Sequence, residues 1–221
     1  MTPNVAAFLR RAHLDAQLGE RVIAADTYAG LAALALEAGI SVSTSELEAA
    51  FRERNAKVLA EKMIRAGMVE TKSISQIPVL DKDRWADVLA LDLSPVYTQL
   101  VNRKDWTPER AASTEFRYRC FLYIALYCEG LPSVPTSEVD EYWHQHILNT
   151  KRYAADCERL AGHFIHHNPS SGASVEESNE LEGMFFQTWV AYETLFNIPY
   201  EETIGAALLQ RWPNPEARMA A

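Results

Sequence analysis

Val139–Pro169 reads VDEYWHQHILNTKRYAADCERLAGHFIHHNP and holds five of the chain's six histidines and one of its three cysteines. Positions Val139, Trp143, His146, Thr150, Tyr153, Cys157 and Leu160 follow alternating steps of four and three, the stripe of one helical face. No run of strictly alternating apolar and polar residues marks a strand, and no internal repeat appears. The expected fold is all-α.

The same reading extends outward from this segment. Thr107-Pro108 is a helix start, cap then first turn, and that helix is expected to run to Gly130 with Phe116, Cys120, Tyr123, Ile124 and Tyr127 on its buried side. Pro132 and Pro135 mark a loop, after which Ser137 and Asp140 stand at capping-box spacing. Asp83–Lys104 has helical character interrupted at Pro95. The first seventy residues read as three short helices. Val5, Phe8, Leu9 and Leu14 form the first stripe, Asp26 or Thr27 caps AGLAALALEAG, and Ser45 with Glu48 opens a third helix running to about Met68. A small three-helix subdomain over 1–70 is therefore expected, then a linker over 71–82 and a larger histidine-rich helical domain over 83–221 that ends in a proline-bearing tail.

Composition excludes several function classes. With 221 residues, 48% of them hydrophobic, the chain can fill a real core. Thirty acidic against 21 basic residues give a formal charge of -9, and no Lys/Arg cluster is dense enough to neutralise a phosphate run, which argues against nucleic acid. Apolar runs such as Cys120–Cys128 fall short of the roughly 20 residues that span a bilayer, and the N-terminus lacks a signal-peptide h-region. The expected location is the cytoplasm, away from membranes, with the three cysteines reduced.

The histidines allow three readings. His144 and His146 lie about 200° apart around a helix and point to opposite sides, whereas Asp140 and His144, four apart, share a face. His163 and His167 are also four apart, with His166 three from His163. A straight helix would separate His144 and His163 by about 28 Å, so a joint site needs a break at Asn149, a stop at Gly162 and a return of His163–Pro169. On the metal reading the ligands come from Asp140, His144, His163, His166 and His167; imidazole with carboxylate and no thiolate favours zinc, iron or copper with an open position. On the acid/base reading the catalytic groups are Asp140, His144 and His146. On the third, these histidines only satisfy partners around a buried Trp143. Cys157 lies on the core stripe without a cationic neighbour on its face, unlike an activated nucleophile. Tyr123, Tyr127 and Trp143 either line a pocket near the histidines or belong to the core.

Two family resemblances add to these readings. VAAFLRRAHLDAQLGERVIAA and YAGLAALALEAGISVSTSELEAAFRER, spanning Val5–Arg54, resemble the nif-eleven leader-peptide family, the leaders of ribosomally made, modified peptides. That family's leaders end in a double glycine before a short core peptide; here IRAGMVETKS stands in that region and about 150 residues follow. PTSEVDEYWHQHILNT with YAADCERLAGHFIHHNP, together with FRYRCFLYIALY and FFQTWVAYETLFNIPY, resembles the glycine-rich domain-containing protein-like family over Glu115–Tyr200. Its signature positions fall on Asp140, Trp143, His144, His146, Tyr153, Cys157, His166, His167 and Pro169, and its glycine-rich tail is missing here. The joined resemblances imply a metal-dependent enzyme or accessory protein in peptide modification, its N-terminal domain engaging a peptide or a modification enzyme. The alternative they leave open is a non-enzymatic adaptor with structural histidines.

Overall fold

A computed structural model describes residues 1–53, 77–131, 133–169, 175–200 and 203–211. The fold is all-α, and no strand occurs among the described residues. The chain divides into two compact units, Met1–Glu70 with Asn197–Ala221, and Thr71–Phe196.

In the first unit the first stripe lies on α1 (Pro3–Leu14), and a further helix that the sequence reading did not separate, α2 (Ala16–Ala24), follows it. Asp15 causes the division: its side chain accepts from the Leu18 N–H at 3.1 Å and restarts the helix. Leu14, counted in the apolar stripe, is left exposed. Thr27 caps α3 (Tyr28–Glu37) by accepting from Gly30 N at 3.0 Å, and Gly39, at φ 77°, closes it in the left-handed region. A fourth helix, α4, occupies 44–53; its expected extension to Met68 lies outside the described residues. Its capping box is Ser43 with Glu46, two residues earlier than the Ser45–Glu48 pair that the spacing suggests. Ser43 Oγ accepts from Glu46 N at 3.2 Å while Glu46 Oε2 accepts from Ser43 N at 2.9 Å.

The second unit begins with α5 (Lys82–Leu89), and of the expected linker 71–82, residues 71–76 lie outside the described ones. It continues with α6 (Ser94–Arg103), α7 (Pro108–Tyr127), α8 (Ser137–Leu148), α9 (Thr150–Ala161) and α10 (Val175–Phe196). Pro95 does not interrupt a helix, because it sits in the first turn of α6, where its missing N–H costs nothing. Helix α7 is the hub: α5, α6, α8 and α10 all pack on it. Thr107 caps it, accepting from Arg110 N at 3.2 Å. Phe116, expected on its buried side, is 43% exposed. The cap of α8 is Thr136 rather than Ser137, since Thr136 Oγ1 accepts from Val139 N at 3.3 Å and the helix begins one residue later.

Buried Arg119 ties α7 to the end of α5. Its guanidinium donates to the carbonyls of Val88 (2.8 Å), Leu89 (3.1 Å) and Leu91 (3.1 Å) and to Glu115 Oε1 (2.6 Å). Glu115 Oε2 in turn accepts from the Tyr142 hydroxyl on α8 at 3.0 Å. One side chain thus supplies donors to carbonyls at and just beyond the C-terminus of α5, where helical partners run out; Val88 O also accepts from the Leu91 N–H at 3.3 Å.

The sequence assigned everything from 83 to 221 to the histidine domain, and here the structure differs. After α10 the chain rejoins the first unit, where α11 (Ile204–Arg211) packs on α1 and α2 and buries Ile204, Ala207 and Leu208 in that unit's core. Gly205 permits the contact: its N–H donates to Ala25 O at 2.9 Å, and a Cβ there would lie 1.7 Å from Val22 O. The proline-bearing tail lies outside the described residues from Trp212 onward.

Candidate metal centre

The helical stripe of the histidine segment is broken at Asn149, which ends α8 and precedes α9. Asn149 makes no side-chain cap to α9; its amide instead donates to Gln145 O (2.9 Å) and Gln99 Oε1 (3.0 Å) and fastens the corner to α6. Gly162, at φ 70°, ends α9 in a left-handed cap. His163–Pro169 then runs without helix back past α8.

This return brings His167 to the Asp140–His144 face of α8. His167 Nε2 lies 2.9 Å from Asp140 Oδ1, His144 Nε2 lies 3.8 Å from Asp140 Oδ2, and the two imidazole centroids are 4.5 Å apart. One ligand atom from each of the three residues falls within 4.8 Å of the others. Donor atoms around a tetrahedral ion at bonds of about 2.1 Å stand roughly 3.4 Å apart, so rotations of about 1 Å would close the triad on a metal. All three side chains keep solvent access, with exposures of 33% for Asp140, 52% for His144 and 16% for His167.

The other candidate residues are not in this triad. His166 lies on the wall of the same cleft, its ring against Phe164 at 5.0 Å. His163 is exposed, with Nδ1 3.0 Å from Ala161 O. His146 points to the opposite side of α8, where it is buried between Tyr118 and Asp156. Its Nδ1 is 2.9 Å from the Tyr118 hydroxyl and its Nε2 is 3.2 Å from Asp156 Oδ2. A neutral ring fits both partners, accepting at Nδ1 from the tyrosine and donating at Nε2 to the carboxylate. Burial lowers its pKa, against the opposing pull of Asp156.

A clamp from the other signature residues fixes the return segment. The Tyr153 hydroxyl accepts from Trp143 Nε1 at 3.0 Å and donates to Ile165 O at 2.7 Å. The Trp143 ring lies 4.6 Å from that of His167. Cys157, buried beside Tyr153, also hydrogen-bonds the Ile165 backbone, and burial raises its thiol pKa. It is a structural thiol. Spacing alone placed Tyr153 and Cys157 on the core stripe; that they grip a segment two residues before His167 depends on the chain reversal at Gly162.

The triad faces a cleft of about 670 Å³. Trp143 belongs to its wall, but Tyr123 and Tyr127 do not line it. Their rings meet edge to face at 5.2 Å, and Tyr123 packs in the same way on Trp85 and Phe196 at 5.9 Å. Leu181 and Phe185 on α10 also line the cleft, and the sequence reading did not single them out. Their four-residue spacing is the signal that was available, though core positions share it.

Among the described residues no helix is long and apolar enough to cross a membrane. No curated protein and no solved structure matches the chain. A family model described as UCP032817-like matches residues 78–198, more than half of the chain. That span contains the triad, the clamp and every lining residue of the cleft. The chain belongs to the UCP032817-like family.

Proposed function

We propose that this protein is a mononuclear metal-dependent enzyme whose ion is held by Asp140, His144 and His167. The observation that carries this reading is the meeting of three ligand atoms within 4.8 Å at the mouth of a cleft. Three protein ligands with an open face suit a catalytic centre better than a closed structural one, and the donor set suits zinc, iron or copper. Such an ion, when bound, polarises a water or substrate oxygen. Asp140 would lower the charge of such a centre by one, His144 and His167 would hold the ion beside the cleft, and Trp143, against the His167 ring, and Tyr153, through Ile165 O, fix the segment that carries His167. The leader-like Val5–Arg54 segment supports a peptide as substrate, or a peptide-modifying partner.

Metal content by mass spectrometry on tag-free protein tests this. One equivalent of zinc, iron or copper is expected in the wild type, and less than a tenth in His144→Ala/His167→Ala. The clamp gives a second expectation. Tyr153→Phe removes the hydroxyl that holds Ile165 O, two residues before His167, and should weaken metal affinity by up to about 10-fold, the low end of the effect of losing a direct outer partner of a ligand, as read by competition with a chromophoric chelator. Unchanged affinity would remove Tyr153 from the account of the site.

A second reading has one observation in its favour. The His167–Asp140 hydrogen bond at 2.9 Å already satisfies both groups without an ion. If protein loaded anaerobically with each of the three metals retains none, the histidines are structural and the non-enzymatic adaptor is the better account.

A further inference from the structure

We infer that the cleft takes a singly charged oxygen-donor ligand, a carboxylate or hydroxamate, whose body is an aromatic or branched apolar group; this rests on the metal reading above. The charge balance points to the head group. Among the described lining residues the only ionisable side chains are Asp140, His144, His166 and His167, and neither lysine nor arginine is present. A divalent ion with one carboxylate ligand leaves a centre of about +1, which one monoanion neutralises. A phosphate dianion would find no second cation and no arginine fork.

The walls point to the body of the ligand. Val134, Pro135, Leu181, Phe185 and Trp143 give the cleft its apolar lining, and the Val134 N–H is tied to Thr188 Oγ1 on α10 at 2.9 Å. All five are incompletely exposed, and Phe185 and Leu181 stand four residues apart on α10. An aromatic or branched apolar group reaching from the ion would leave water by packing against these side chains. The uncharged Ser133, Ser137 and Asn168 at the margin provide hydrogen bonds without demanding charge.

The test uses full-length, zinc-loaded protein and calorimetric titration with acetohydroxamate and benzohydroxamate, which share a head group and differ in the ring. Benzohydroxamate should bind about tenfold tighter or more. Phe185→Ala should bring the ratio to within about threefold by weakening benzohydroxamate more than acetohydroxamate; Phe185→Leu, which keeps the lining apolar should the alanine variant misfold, should retain most of the preference. A wild-type ratio within twofold overturns the inference, and so does phenyl phosphate binding more tightly than benzohydroxamate. Protein that takes up no zinc fails earlier, before any hydroxamate is added. That outcome overturns the metal reading and this inference with it.

Discussion

Arg119→Ala is expected to destabilise the histidine unit by about 3–5 kcal/mol, the range for removing one partner of a buried ion pair. The substitution strips the carbonyls of Leu89 and Leu91 of the guanidinium, leaves that of Val88 with only the Leu91 N–H at 3.3 Å, and removes the cation that balances Glu115. An unsatisfied buried acceptor costs about 1–3 kcal/mol, and water reaching the site relieves part of the sum. The effect also reaches the centre, because Glu115 accepts from Tyr142 on α8, the helix that carries Asp140 and His144. Arg119→Lys should recover less than half of the loss, since an ammonium is a single point donor that cannot fork to separate carbonyls. Urea denaturation followed by far-UV circular dichroism reads this directly. An Arg119→Ala midpoint corresponding to less than about 1 kcal/mol would show that the guanidinium is not a keystone.

Period and breaker residues made the helices legible, and contacts between distant residues were not. The face shared by Asp140 and His144, the corner at Asn149 and the stop at Gly162 are all local, and the sequence carries them in spacing and composition. The choice between His166 and His167 is different. Neighbouring residues of a non-helical segment project to different sides, and which one meets Asp140 is decided by the clamp on Ile165. Caps misread by a residue or two have a similar cause: Ser43–Glu46 and Ser45–Glu48 both satisfy the capping-box rule, and the backbone direction entering the helix selects between them. The assignment of α11 to the first unit was illegible for a stronger reason. Gly205 is an unremarked glycine until Val22 O stands where its side chain would go.

His146→Ala separates the two histidines of the WHxH motif by what each one does. The spacing puts His144 on the Asp140 face and His146 on the opposite one, and in the structure His144 is half exposed beside Asp140 while His146 is 1% exposed among aromatic rings. Removing the His146 ring opens a cavity bounded by Tyr118 and Tyr153, whose centroids lie 5.8 and 5.0 Å from it. It also leaves the fully buried Tyr118 hydroxyl without its ring partner and releases Asp156, which keeps a 3.8 Å contact to Arg159. A cavity together with one or two unpaired polar groups predicts a loss of about 2–4 kcal/mol. His144→Ala removes an exposed ring and should stay within about 0.5 kcal/mol of the wild type when both are unfolded in the presence of a chelator. Metal content should divide the pair the other way. At a temperature where it is still folded, His146→Ala keeps its equivalent of metal, and His144→Ala loses it. If His146→Ala were as stable as the wild type, its burial would be incidental and a role for it in chemistry would return; if it lost metal while still folded, the centre would extend through α8 to its buried face.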